Sequence, residues 1–260
     1  MSSERPPALL AALAIVGVAF FILPLAGLLA RAPWQSALGE LTTPEALTAL
    51  RLSFVISLAA TALALLLGVP LAWIYARVPF RGRDLIRALT TLPMILPPVV
   101  GGVALLFAFG RRGLFGLALD AIGIRLPFTT FGAILAATFV AMPLLVLTVE
   151  AGLRSMDRRY EDAARTLGAG RWVVFRRVTL PLIAPSVFAG AVLCWARALG
   201  EFGATITFAG NLPGTTQTLP LAVYIALETR PEVAIMLSVV LLAVSLAILV
   251  AMRDRYLRAF

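Results

Sequence analysis

Apolar runs of about twenty residues recur six times along this chain, at roughly 8–30, 52–76, 88–110, 132–153, 185–209 and 232–252. A helix needs about that length to cross ~30 Å of hydrocarbon, and in lipid each backbone polar group must find its partner within the segment. The runs therefore predict an all-α, polytopic membrane protein: one transmembrane domain over residues 1–260 with about six spans. Arg5 gives the first run the flank of a signal peptide, but the run is too long for a typical h-region and shows no clear small-x-small cleavage site, so it reads as a span. Composition agrees, with 61% hydrophobic and 13% charged residues and a mean hydropathy of +0.98. An ordinary soluble domain has an apolar fraction of about 45–50%.

The formal net charge of +9 is carried by arginine alone, since the sequence contains no lysine and no histidine. A Walker A loop and a Schiff base both need lysine, and histidine-based zinc or general-base chemistry needs histidine. ATP hydrolysis by this chain in the usual way is thereby excluded, together with most catalytic constellations of soluble enzymes. The arginines fall between apolar runs, which points to membrane orientation rather than to nucleic acid. Arg5, the four arginines of 77–87, the seven of 154–177, and Arg253, Arg255 and Arg258 share one side; Arg31, Arg51, Arg111, Arg112, Arg125 and Arg230 share the other. The positive-inside rule then predicts cytoplasmic termini and a cytoplasmic loop at 154–184. The single cysteine, Cys194, lies in an apolar run, so no intrachain disulfide is possible.

That loop reads DRRYEDAARTLGAGRWVVFRRVTLP from Asp157 to Pro181. Tyr160, Ala163, Ala164 and Leu167 recur at i, i+3, i+4 and i+7, while Arg158, Arg159, Glu161, Asp162 and Arg165 fill the other side, which predicts a short amphipathic helix. Asp157 can cap its first turn, Gly168 and Gly170 supply left-handed geometry to stop it, and a second short helix is expected from about Arg171 to Pro181. A plain solvated loop has the same composition, but the spacing is more specific. Asp162-Ala163-Ala164, three residues, Gly168, nine residues and Val178-Thr179-Leu180-Pro181 resemble the E-A-A-x3-G-x9-I-x-L-P loop of ABC importer permeases, with Asp162 for Glu and Val178 for Ile. The resemblance implies a type I importer permease fold and a coupling role toward a separate ATPase for Tyr160, Glu161, Asp162, Ala163, Ala164, Arg165, Leu167 and Gly168.

The fifth run carries Arg197 and Glu201, four residues apart and so on one face of a continuous helix. Charge at mid-membrane costs about 2.5–3.5 kcal/mol on insertion scales, so such residues normally find a partner or line a watery cavity. A structural ion pair and a translocation path both remain open readings; Thr205, Thr207 and Asn211 extend the path candidate outward. Prolines punctuate the spans heavily, as at Pro97-Pro98, which fits either tolerated kinks or broken, moving helices. The segment from Pro79 to Gly102 resembles oxyanion-importer permeases, and the run ARALGEFGATITFAGNLPGTTQTLPLAVY from Ala196 to Tyr224 resembles molybdate permeases, with tungstate permeases close and sulfate permeases sharing the core. The resemblance implies two permease copies, two ATPase chains holding ATP and Mg, no cofactor in this chain, an extracytoplasmic oxyanion-binding protein, and the inner membrane of a prokaryote. Arg111, Arg112 and Arg125 stand on the outer side against the orientation rule; they are read either as meeting acidic residues of the binding protein or funnelling the anion, or as plain solvated loop residues. A sulfate permease is the alternative within the class. An ATP-independent secondary transporter is the alternative outside it, and would call for inverted repeats that the sequence does not evidently show.

Overall fold

The computed structural model describes residues 7–256; Arg5 and Arg258 lie outside them, as do the side chains of Arg253 and Arg255. The described chain is helical: α1 Ala8–Ala30, α2 Ala37–Leu41, α3 Pro44–Arg77, α4 Arg83–Thr91, α5 Pro98–Phe109, α6 Gly116–Ala121, α7 Thr130–Ser155, α8 Arg159–Thr166, α9 Arg171–Val174, α10 Leu180–Leu199, α11 Gly203–Phe208, α12 Leu219–Thr229 and α13 Pro231–Tyr256. Five helical stretches are long and apolar enough to cross a membrane, and six if α4 and α5 together count as one broken span.

The centre is built from α3, α7 and α10. Along α3 a buried stripe at every fourth position, Ala60, Ala64, Gly68, Ala72 and Ala76, meets Ala133, Ala137, Ala141, Leu145, Val149 and Leu153 on α7. Lipid tails are as apolar as leucine, so helices in a bilayer associate through close van der Waals approach, which small residues permit. Contact is tight: a Cβ on Gly68 would lie 2.8 Å from Leu145 Cδ2. Both helices are started by threonine, Thr43 Oγ1 accepting from the Ala46 N–H (3.3 Å) and Thr129 Oγ1 from the Gly132 N–H (3.0 Å). Polar side chains tie the layers together. Trp195 donates to Ser57 Oγ at 3.0 Å, and the Leu219 N–H donates to Ser53 Oγ at 2.7 Å. By contrast α1 buries none of its residues and presents Phe20 and Phe21 outward, as suits a helix facing lipid.

Two expected spans are not continuous helices. The run at 88–110 turns by 117° between the α4 segment, extended by a 3-10 turn at Leu92–Met94, and α5. Pro97 and Pro98 cause the break: neither offers an N–H, and a residue before proline is pushed out of the helical region, as Pro97 is at ψ 130. The run at 185–209 ends its helix at Leu199, crosses Gly200-Glu201-Phe202, and restarts as α11. The short helix expected to end at Pro181 instead continues: Phe175–Thr179 form a π turn that joins α9 to α10. The helix α3 starts well before residue 52, and α12 packs beside α13 as an apolar helix that the six-run reading did not contain. A second core lies there, Ala46 and Ala49 of α3 against Leu219, Ala234 and Leu237. In a third, α5 and α11 meet α7 around Leu105, Phe208 and Val140.

Candidate functional site

The helix α8 is short and stands outside the packed spans. Asp157 Oδ1 accepts from the Arg159 N–H (2.9 Å), satisfying a donor of its first turn. Its end is closed by the Ala169 N–H on the Ala164 carbonyl (3.1 Å) and the Gly168 N–H on the Arg165 carbonyl (2.9 Å), with Gly168 at φ 82. Gly170 lies at φ −66, so the left-handed residue is Gly168 alone. Tyr160, Ala163 and Leu167 face outward and Ala164 is half-buried. Contrary to the sequence expectation, Glu161 does not belong to the solvated side. It points into the protein at 4% side-chain exposure, pairs with Arg77 Nε at the end of α3 (3.1 Å to Oε2, where Arg77 is 7% exposed), and accepts from the Thr179 hydroxyl (2.7 Å). Asp162 and Arg165 form the exposed pair, at 3.2 Å. Arg158 adds a second tie, donating from Nη2 to the Ala76 carbonyl at 3.1 Å. The helix thus hangs from the end of α3 and from the π turn through one buried carboxylate, and leaves an apolar strip free.

A second carboxylate is buried as well. Glu150 of α7 accepts from Arg87 Nε on α4 (3.0 Å) and pairs with Arg154 Nη2 one turn on (2.7 Å). The Tyr75 hydroxyl lies 2.6 Å from Thr90 Oγ1. Together these fix α4 to α3 and α7. Sequence reading passed over Glu150, although Glu150–Arg154 has the same four-residue spacing that singled out Arg197 and Glu201.

Arg197 and Glu201 do meet, Nη1 to Oε2 at 2.7 Å, but across a helix end rather than along one face. Glu201 is 2% exposed in its side chain and Arg197 33%. The other carboxylate oxygen accepts from the Ala204 N–H at 2.8 Å, so Glu201 also caps the restarted helix. One carboxylate thereby neutralises the guanidinium at the end of α10 and supplies an acceptor at the start of α11. Thr205 is buried, Thr207 donates to the Gly203 carbonyl (2.8 Å), and Asn211 is half-buried with its Oδ1 unpartnered. An open, largely apolar cavity of about 400 Å³ adjoins the break, lined by Gly200, Phe202 and Tyr224 among others, with the last two rings 5.3 Å apart. None of the five path candidates lines it. Close packing holds α11 on α5: a Cβ on Gly102 would lie 2.8 Å from the Ala204 carbonyl oxygen, and one on Gly203 would lie 2.8 Å from Pro98 Cβ.

Arg111 and Arg112 are exposed in the turn after α5, and Arg125 is exposed but paired with Asp120 at 3.0 Å. Among the described residues no cluster of side chains is suited to holding a metal ion.

A profile of the family described as "Binding-protein-dependent transport system inner membrane component" matches residues 64–259. The Mycobacterium bovis protein named "Molybdenum transport system permease protein ModB" is 46% identical over 242 residues, covering 93% of this chain and 92% of that protein. The protein of the same name from Escherichia coli is 47% identical over 190 residues, 73% of this chain and 82% of its own length. Among solved structures, a bacterial alginate ABC transporter in complex with a periplasmic protein bound to an alginate pentasaccharide superposes with a TM-score of 0.73 at 20% identity, covering 95% of this chain and 94% of that one. That likeness concerns the fold.

Proposed function

Since the chain belongs to the family of binding-protein-dependent transport-system inner-membrane components, we propose that it is the translocating half of an ATP-driven importer for a tetrahedral oxyanion, molybdate or tungstate. Two copies would assemble with two ATPase chains that hold ATP and Mg, and an extracytoplasmic binding protein would deliver the anion. The observation that carries the coupling role is α8, an outward apolar strip of Tyr160, Ala163 and Leu167 held by the buried Glu161–Arg77–Thr179 node. The names of the relatives that cover most of this chain support the substrate.

Each part of the mechanism follows from a contact. Closure of the ATPases displaces α8, and energy enters this chain through that contact rather than through catalysis. The displacement passes through Glu161 to Arg77 at the end of α3 and through Thr179 to the base of α10. The small-residue seam between α3 and α7 moves as one body because packed cores switch rather than deform. The bent α4–α5 pair and α11, locked by Gly102 and Gly203, ride with it and change access to the centre. Arg197 and Glu201 sit near the path as a neutral pair, so that a dianion meets little fixed charge and is released. Arginine asymmetry supports a cytoplasmic side for α8 and both termini. Arg111 and Arg112 then face the binding protein, with Arg125 tempered by Asp120.

The test is reconstitution of the chain with its ATPase and binding protein in vesicles. ATP-dependent uptake of molybdate or tungstate in preference to sulfate is expected. Uptake that proceeds without ATP would make it a secondary transporter, and a preference for sulfate would move it to the sulfate branch.

A further inference from the structure

Behind α8 lies a cavity of about 510 Å³ whose wall includes Arg77, Arg158, Arg165 and Arg171 against only two carboxylates, Glu161 and Asp162, an excess of two positive charges. Both carboxylates are already engaged, Glu161 by Arg77 Nε and Asp162 by Arg165. Arg77 Nη2 is buried with no hydrogen-bond partner, and among the described residues neither Arg158 nor Arg171 has an ion pair. A buried guanidinium nitrogen without an acceptor is unfavourable, and an anionic oxygen would relieve it.

The cavity also continues into an apolar groove. Trp73, Arg171 and Phe175 line both this cavity and a second one of about 440 Å³, which is otherwise walled by Pro70, Ile74 and Trp172 and runs along the last turns of α3. Trp172 stacks on Phe175 (5.7 Å) and Trp73 meets the same ring edge-on (6.3 Å), so the groove has a rigid aromatic floor. Ile74 and Trp172 are exposed along it. Tryptophan favours the level of lipid headgroups, and basic pockets beside spans on the cytoplasmic side suit anionic headgroups.

We propose that this continuous surface binds one anionic phospholipid of the inner leaflet, its phosphate toward Arg77 and Arg171 and an acyl chain along Trp73, Ile74 and Trp172. The proposal rests on the cytoplasmic placement of α8 given above. The lipid would fill the space behind the docking helix, adding an anionic partner for the guanidinium groups that Glu161 and Asp162 leave in excess.

The experiment is native mass spectrometry of the full chain in detergent with equal amounts of phosphatidylglycerol and phosphatidylcholine. One retained phosphatidylglycerol is expected. Arg171→Gln should weaken its retention about fivefold through the loss of one arginine's attraction, Arg171→Lys should restore most of it, and Trp172→Ala should weaken it independently. Both positions are exposed, so the variants keep the fold. Equal retention of the two lipids, or retention unchanged in both Arg171→Gln and Trp172→Ala, overturns the proposal. Displacement by millimolar inorganic phosphate, or loss of the lipid when the ATPase subunit is added, assigns the cavity to a free anion or to the ATPase interface, and overturns it as well. The readout is binding, so ATP-dependent oxyanion uptake measured on the same preparations succeeds or fails separately.

Discussion

Replacing Glu161 by alanine removes the acceptor of Thr179 and strips Arg77, 7% exposed, of its carboxylate. Removing one partner of a buried pair costs about 3–5 kcal/mol, because the remaining charge stays desolvated. Unfolding midpoints shift by about 2–4 °C per kcal/mol in a chain of this size, so Glu161→Ala should lower the midpoint by roughly 6–20 °C. Glu161→Gln keeps an oxygen for Thr179 and should fall near the small end of that range. The adjacent Asp162 is the control: its carboxylate is 66% exposed, its partner Arg165 is 51% exposed, and their separation is 3.2 Å. Solvent screens such a pair, so Asp162→Asn should cost less than about 0.5 kcal/mol, a shift of at most about 2 °C. The assay is thermal unfolding of the detergent-solubilised protein, followed by intrinsic tryptophan fluorescence, with uptake measured in vesicles. Adding Arg77→Met to Glu161→Gln should recover most of the lost stability while transport stays impaired, since the tie between α8 and α3 is gone. Equal midpoints for Glu161→Ala and Asp162→Asn, or additive effects of the Arg77 and Glu161 changes, would refute the buried-anchor reasoning.

Glu201→Gln leaves Arg197 uncompensated and should destabilise strongly; Arg197→Met in that background should recover most of the midpoint, because glutamine can still accept from the Ala204 N–H, and a zero coupling energy would contradict the 2.7 Å contact. Gly168→Asp should leave the chain folded, since a Cβ there meets nothing within 4 Å and aspartate tolerates φ 82 better than most residues, yet it should abolish ATP-driven uptake by altering the docking strip; normal uptake in a well-expressed variant removes α8 from the coupling path. Gly102→Ala forces a methyl against the Ala204 carbonyl and should cost about 1–3 kcal/mol, read as a lower midpoint, whereas Gly17→Ala, with open space around it, should cost nothing measurable. Neutralising Arg111, Arg112 and Arg125 together should slow binding-protein-dependent uptake and flatten its salt dependence, with the Arg125 part smallest because Asp120 already offsets it; an unchanged rate and salt profile makes them plain loop residues.

The long helices were legible because bilayer thickness imposes length, and apolar runs of that length have few alternatives. Their interruptions were not, and proline shows why. Pro24, Pro70, Pro143 and Pro185 sit inside unbroken helices, whereas Pro97-Pro98 break theirs. In lipid, neighbouring helices decide whether a freed carbonyl is satisfied, which local sequence does not record. Glu161 was misplaced for a related reason. Helical periodicity assigns it to the polar side, and its actual partner, Arg77, lies 84 residues earlier in the chain. The Ala60–Ala76 stripe was also not singled out in the sequence, although its small side chains recur every fourth residue and the opposing stripe on α7 has the same period.

A consequence of the length of α3 is mechanical advantage. Its 34 residues make a rod of about 51 Å, against ~30 Å of hydrocarbon. Ser53, bonded to the Leu219 N–H, and Arg77, bonded to Glu161, are separated by about 36 Å of that rod. A tilt of about 10° around the point midway between them sweeps each end through about 3 Å in opposite directions, by the same rise per residue. An inward pull on α8 of one atomic diameter therefore returns at the far face as an outward push of equal size on the segment leading into α12. The gearing ratio is near unity, so under the proposed coupling role the stroke available at the Ser53 end is set by how far α8 travels.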